Sequence, residues 1–121
     1  MTVNGPDFVS LQVRDIERSA RFYEQHLGLT RQPGPPHGVV FDTKPIALAV
    51  RDAVPGFDLD RHDDPSGGVA VWLHAPDAKD VHEALVAAGV RIVTDPVDGP
   101  FGFTFTFADP DGYRITLHDR G

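Results

Sequence analysis

Apolar and polar residues alternate along several stretches of this chain, and the longest lies near its end. Phe103, Phe105 and Phe107 fall on one face with Thr104 and Thr106 on the other; Tyr113, Ile115 and Leu117 then oppose Arg114, Thr116 and His118. Period-two alternation of this kind is the mark of a half-buried strand. Between the two runs stands Asp109-Pro110-Asp111-Gly112, where proline pre-sets φ for a turn and glycine can take a positive φ at its exit. The pattern predicts a hairpin.

The same period recurs in Val9, Leu11 and Val13 and again in Val69, Val71 and Leu73. Each of these strands runs into an amphipathic stripe at helical spacing. The first is Ile16, Ala20, Tyr23 and Leu27, opened by Asp15 as an N-cap with Glu17 in the first turn, and stopped by Gly28. The second is Ala78, Val81, Leu85 and Ala88, with Asp77 as the expected cap, Asp80 at capping-box spacing, and Gly89 as the stop. Short strands follow the first helix at 39–41 and 46–50, where Ile46, Leu48 and Val50 oppose Ala47 and Ala49. A strand at 90–93 and the closing hairpin follow the second. Residues 33–38 read as a Pro/Gly loop, and 99–102 (GPFG) as a turn or a lid over the hairpin.

These elements predict an α+β fold of two tandem βαβββ modules, with curved mixed sheets around a cleft and helices on the outer face. The expected division is a single domain over 1–121, with module one at about 6–53, a polar linker at about 54–67 and module two at about 68–121. Phe57 and Leu59 inside the linker are expected to be anchored, and its aspartates 58, 60, 63 and 64 read as a solvated charge run.

Composition narrows the function. Hydrophobic content of 40% and charged content of 24% suit a globular chain, and no apolar run is long enough to span a membrane. No secretion signal is read at the start, which gives a cytoplasmic expectation. The absence of cysteine rules out disulfides, thiolate nucleophiles and thiolate metal sites. A formal net charge of −7 argues against nucleic acid and anionic membranes as partners; it would suit a cationic ligand, and it reads first as the ordinary acidity that keeps a globular chain in solution. Nothing resembles a nucleophile elbow, a phosphate loop or a Ser/His/Asp arrangement.

Three segments, VSLQVRDIERSARFYEQHLGL, DAKDVHEALVAAGV and FADPDGYRITLHD, occur in that order and spacing. With them the chain resembles the vicinal oxygen chelate superfamily, which includes glyoxalase I, extradiol dioxygenases, and fosfomycin and bleomycin resistance proteins. The resemblance implies a homodimer with ligand cavities built from modules of both subunits and, in the enzymes, a divalent metal. That metal would be held by a His or Gln starting the first strand, a His starting the equivalent strand of module two, and Glu on the strands that end modules. This sequence departs at each position: Phe8 at the first, Gly68 at the second, Thr116 in place of the closing-strand Glu, and no carboxylate in 46–50. The expectation is therefore no metal and no cofactor, in the character of the bleomycin-resistance branch.

The residues left to line a ligand site are Phe8, Ser10, Gln12, Trp72, His74, Thr116 and His118, all on the strand faces turned away from the helices by parity. Trp72 and Phe8 offer aromatic area for stacking; Ser10, Gln12 and Thr116 offer directional hydrogen bonds, as do Arg14 and Arg114. His74 and His118 could orient a ligand, relay a proton, hold a relocated metal, or stand as solvated rim residues. The favoured reading is a metal-independent protein that sequesters a planar, possibly cationic, aromatic antibiotic or related natural product. The alternative is an enzyme, a lyase or dioxygenase of the glyoxalase type, working through a displaced metal site.

Overall fold

The computed structural model describes residues 6–34, 36–67 and 69–120. The chain divides into two compact units, Met1–Leu59 and Asp60–Gly121. Among the described residues no helix is long and apolar enough to cross a membrane.

The first unit runs β1 (Phe8–Val13), α1 (Ile16–Leu27), β2 (Arg31–Gln32), β3 (Gly38–Phe41) and β4 (Ala47–Asp52). Its sheet has the order β1-β4-β3-β2, with β1 parallel to β4 and the other pairs antiparallel. Val9 and Leu11 stand opposite Leu48 and Val50, while Phe8 and Ser10 stand opposite Ala47 and Ala49. Leu11, Val13, Leu48, Val50 and Phe41 are buried together with Ala20 and Tyr23 of α1, and the Tyr23 and Phe41 rings lie 5.9 Å apart. This is the helix-covered face that the alternation predicts.

The ends of α1 follow local chemistry. The Asp15 carboxylate accepts from the Arg18 N–H at 3.1 Å, which satisfies one of the donors a helix start leaves open. At the other end Gly28 adopts φ 69°, ψ 22°, the left-handed conformation that glycine tolerates, and donates to Glu24 O. The two-residue strand β2 is absent from the sequence expectation. It is placed by Arg31, whose guanidinium reaches back to both Glu17 and Glu24 of α1.

The second unit repeats the plan with β5 (Val71–His74), α2 (Ala78–Ala87), β6 (Ile92–Gly99), β7 (Gly102–Ala108) and β8 (Arg114–His118). The sheet order is β5-β8-β7-β6, again with one parallel pair, β5 with β8. Phe105, Phe107, Ile115, Leu117, Ala78 and Leu85 are buried on the helix side, and the His82 ring of α2 lies 4.9 Å from that of Phe105. The two tandem βαβββ modules of the α+β reading are thus present, each with its helix on one face of a mixed sheet.

Three local expectations need correction. Asp77 makes no side-chain cap bond; at φ −101°, ψ 29° it lies outside the extended region from which a cap side chain folds back, and Ala78 N–H donates to Ala75 O instead. Ala88, expected in the buried stripe, is exposed; it is the C-cap that follows α2, with its N–H still donating to Ala84 O. The strand expected at 90–93 begins later and runs to Gly99, with register shifts around Thr94. It lies at the sheet edge, where Pro96 costs no ladder bond.

The segment after β4 is folded, not trailing. Leu59 is buried at the start of a 3-10 turn, Leu59–Arg61. Asp63 then pairs with Arg114 at 2.6 Å and Asp64 caps Ser66, so the charge run is partly tied to the second unit.

Candidate functional site

Side chains on β5 and β8 that point away from α2 meet in register. Trp72 stands opposite Thr116, and His74 opposite His118. The next strand continues both rows, because Thr106 pairs with Thr116 and Thr104 with His118. Strand parity therefore assembles four of the expected ligand residues, Trp72, His74, Thr116 and His118, on one open sheet face.

His118 is the hub of an aromatic cluster. Its ring centroid lies 5.5 Å from that of His74, 5.8 Å from Trp72 and 6.0 Å from Phe101, and Trp72 and Phe101 meet edge to face at 5.5 Å. Trp72 remains 47% exposed and Phe101 53% exposed. Rings this open contribute little to folding, so their apolar area is left available for something else to cover.

The sequence offers Phe101 only as one letter of the GPFG turn, with no sign that its ring joins this cluster. Gly99 pairs with Gly102 across that turn, Gly102 takes φ 81°, and Phe101 O accepts from Arg120 N–H. The segment is a plain tight turn joining β6 to β7. Those contacts set the Phe101 backbone beside the end of β8.

The polar groups of this face are also paired in a definite way. Thr106 Oγ1 and Thr116 Oγ1 lie 2.7 Å apart, so one hydroxyl proton is used between them and the other remains to be donated. Thr104 Oγ1 donates to Gly102 O. Arg114 is committed elsewhere, to Asp63 and to Gly112 O. Below this face Asp109 is buried in the Asp109-Pro110-Asp111-Gly112 turn, where its carboxylate accepts from the N–H groups of Asp111 and Tyr113, each at 2.9 Å. Gly112 exits that turn at φ 95°.

In the first unit, Phe8, Ser10 and Gln12 share the face opposite α1. Phe8 is 50% exposed and Ser10 is exposed. Gln12 is partly engaged, since its Oε1 accepts from Val54 N–H at 2.7 Å.

A divalent metal of the family type does not suit the donors present. Phe8 offers only hydrocarbon, and Thr116 offers a neutral hydroxyl already bonded to Thr106; such cations want carboxylate and imidazole. Gly68 lies outside the described residues. Among the described residues no group of three or more His, Asp or Glu side chains converges that could hold a metal.

The family model described as Glyoxalase/Bleomycin resistance protein/Dioxygenase superfamily matches residues 5–117. Comparison with curated proteins finds no match. Among solved structures the chain is similar to TnmS3, an antibiotic binding protein from Streptomyces sp. CB03234, at 25% identity and a TM-score of 0.75, covering 100% of this chain and 99% of that one. It is similar to a glyoxalase/bleomycin resistance protein/dioxygenase from Nocardioides at 29% identity and a TM-score of 0.66, covering 96% and 84%. The fosfomycin resistance protein FosX from Listeria monocytogenes, 13% identical with a TM-score of 0.75 over 97% and 93%, shares the fold.

Proposed function

The chain belongs to the glyoxalase/bleomycin resistance protein/dioxygenase superfamily, and within it we propose that it is a metal-independent small-molecule binding protein. Its ligand is a planar aromatic compound of the antibiotic or natural-product kind, which it sequesters without chemical turnover. The observation that carries this reading is the half-exposed Trp72–Phe101–His118–His74 cluster on the open face of the second sheet. A flat ligand laid on it would bury aromatic area, with each ring pair adding about 0.5–1.5 kcal/mol beyond area. Binding of this kind needs no nucleophile or Lewis acid. Similarity to an antibiotic binding protein at 25% identity supports the same reading, and the net charge of −7 suits a cationic ligand. Phe8, Ser10 and Gln12 are proposed as further ligand contacts, and the working form as a homodimer, which sedimentation analysis would test.

The competing reading is an enzyme of the glyoxalase or dioxygenase type with a displaced metal. It has the two imidazoles of His74 and His118 in its favour and no third donor among the described residues.

The test has two parts. Protein purified without chelator should carry less than about a tenth of an equivalent of transition metal per chain; near-stoichiometric metal overturns the metal-independent reading. A panel of planar aromatic antibiotics is then titrated by calorimetry into wild type and Trp72→Ala, and in the wild type the indole signal of Trp72, the only tryptophan, is followed by NMR as well. Saturable binding that Trp72→Ala abolishes, with fold intact, supports the site; binding that survives this change overturns it.

A further inference from the structure

Each histidine of the cluster spends one ring nitrogen on a backbone carbonyl. His118 Nδ1 lies 3.0 Å from Arg120 O, and His74 Nε2 lies 3.3 Å from Asp119 O. A carbonyl oxygen only accepts, so in both cases the nitrogen facing it carries the proton. In the neutral imidazole the other nitrogen is then fixed as an acceptor. Those acceptors are Nε2 of His118 and Nδ1 of His74, and neither has a hydrogen-bond partner among the described residues.

The two acceptors belong to rings whose centroids are 5.5 Å apart, and the His118 ring lies against both Trp72 and Phe101. We propose that His74 and His118 form a tautomer-locked acceptor pair that selects ligands bearing hydrogen-bond donors, phenolic hydroxyls or aromatic amines, at the edge of their planar ring system. This rests on the binding reading above and narrows it to a ligand class. The lock comes from the chain itself, because both anchoring carbonyls are on the two residues that follow β8. A ligand that offers only ether or carbonyl oxygens there leaves both nitrogens unpaired and loses the directional part of its affinity.

The first experiment needs no ligand. In alkaline buffer, where imidazoles are neutral, long-range nitrogen–proton correlation spectra of the labelled protein should show His118 as the Nδ1–H tautomer and His74 as the Nε2–H tautomer. His118 as the Nε2–H tautomer overturns the proposal and leaves the binding reading standing. The second experiment titrates 2-naphthol and 2-methoxynaphthalene, which differ in the hydroxyl proton, and follows the single Trp72 indole signal. The hydroxyl probe should bind about tenfold more tightly. His118→Phe, which keeps the ring and removes the acceptor, should bring the two affinities together, and His74→Phe is the second variant should the first fail to fold. Equal affinities in the wild-type protein, or an undiminished preference in the variants, overturn the acceptor pair. Failure of both probes to bind, with the tautomers as expected, overturns the binding reading and the proposal with it.

Discussion

Arg31 donates two hydrogen bonds to the Glu17 carboxylate, at 2.9 Å each, across 14 residues of chain. The same guanidinium holds Glu24 at 2.9 and 3.1 Å, so one side chain fixes β2 against two turns of α1. The geometry is the forked, charge-assisted kind that lysine does not reproduce. The Arg31 hydrogen bonds hold the Glu17 carboxyl below its ordinary value, and the carboxylates raise Arg31 above its own.

Arg31→Gln should lower the midpoint of thermal unfolding by a few degrees, since the pair is solvent-screened. The sign of its pH dependence follows from Glu17. A depressed carboxyl stabilises the fold fully above its ordinary, unfolded value of 4.5, and that contribution is lost as pH falls through the lower folded value. Melting curves of wild type and variant should therefore differ at neutral pH and draw together in acid. A gap that widens on acidification would contradict the assignment.

Asp15 and Asp77 occupy equivalent positions in the two units and should respond differently to the same change. Asp15→Ala removes a formed cap bond and should cost about 1 kcal/mol in urea unfolding. Asp77→Ala removes no side-chain cap bond and should cost no more than about 0.5 kcal/mol. Equal losses would mean that Asp77 caps its helix in solution.

Asp109→Ala leaves two backbone N–H groups in a buried turn without their acceptor. The expected loss is about 2 kcal/mol or more. Asp109→Asn keeps one acceptor oxygen and should lose less. Denaturant unfolding of the three proteins orders them, and an alanine variant as stable as wild type would show that water replaces the carboxylate.

Phe101→Ala should weaken binding of a planar aromatic probe about tenfold while moving unfolding stability by no more than about 0.5 kcal/mol, as the ring is half exposed. Titration and melting on the same sample separate the two effects. Lost stability with unchanged affinity would assign Phe101 to the turn alone.

Period and punctuation carry most of what the sequence reveals here. Phe103, Phe105 and Phe107 alternate cleanly because one face meets α2, and Asp109 to Gly112 uses the residues its turn demands. The same parity by itself places Trp72, His74, Thr116 and His118 on one face. Arg31–Gln32 carries no such signal, because a two-residue polar strand exists through ion pairs to residues 7 and 14 positions away. Phe101 is silent for a similar reason, as its position depends on the Gly99–Gly102 pairing and on Arg120. Asp77 misleads, since its residue type fits a cap and its backbone does not.

In both units the last strand to leave the ribosome is an inner one: β4 lies between β1 and β3, and β8 between β5 and β7. Phe8 waits for Ala47, and Val71 for Ile115. Neither sheet can therefore close piecemeal during synthesis. Until its final strand emerges, each unit holds an opening strand with no neighbour and an exposed edge beside it, which makes folding late, non-local and slow for its size.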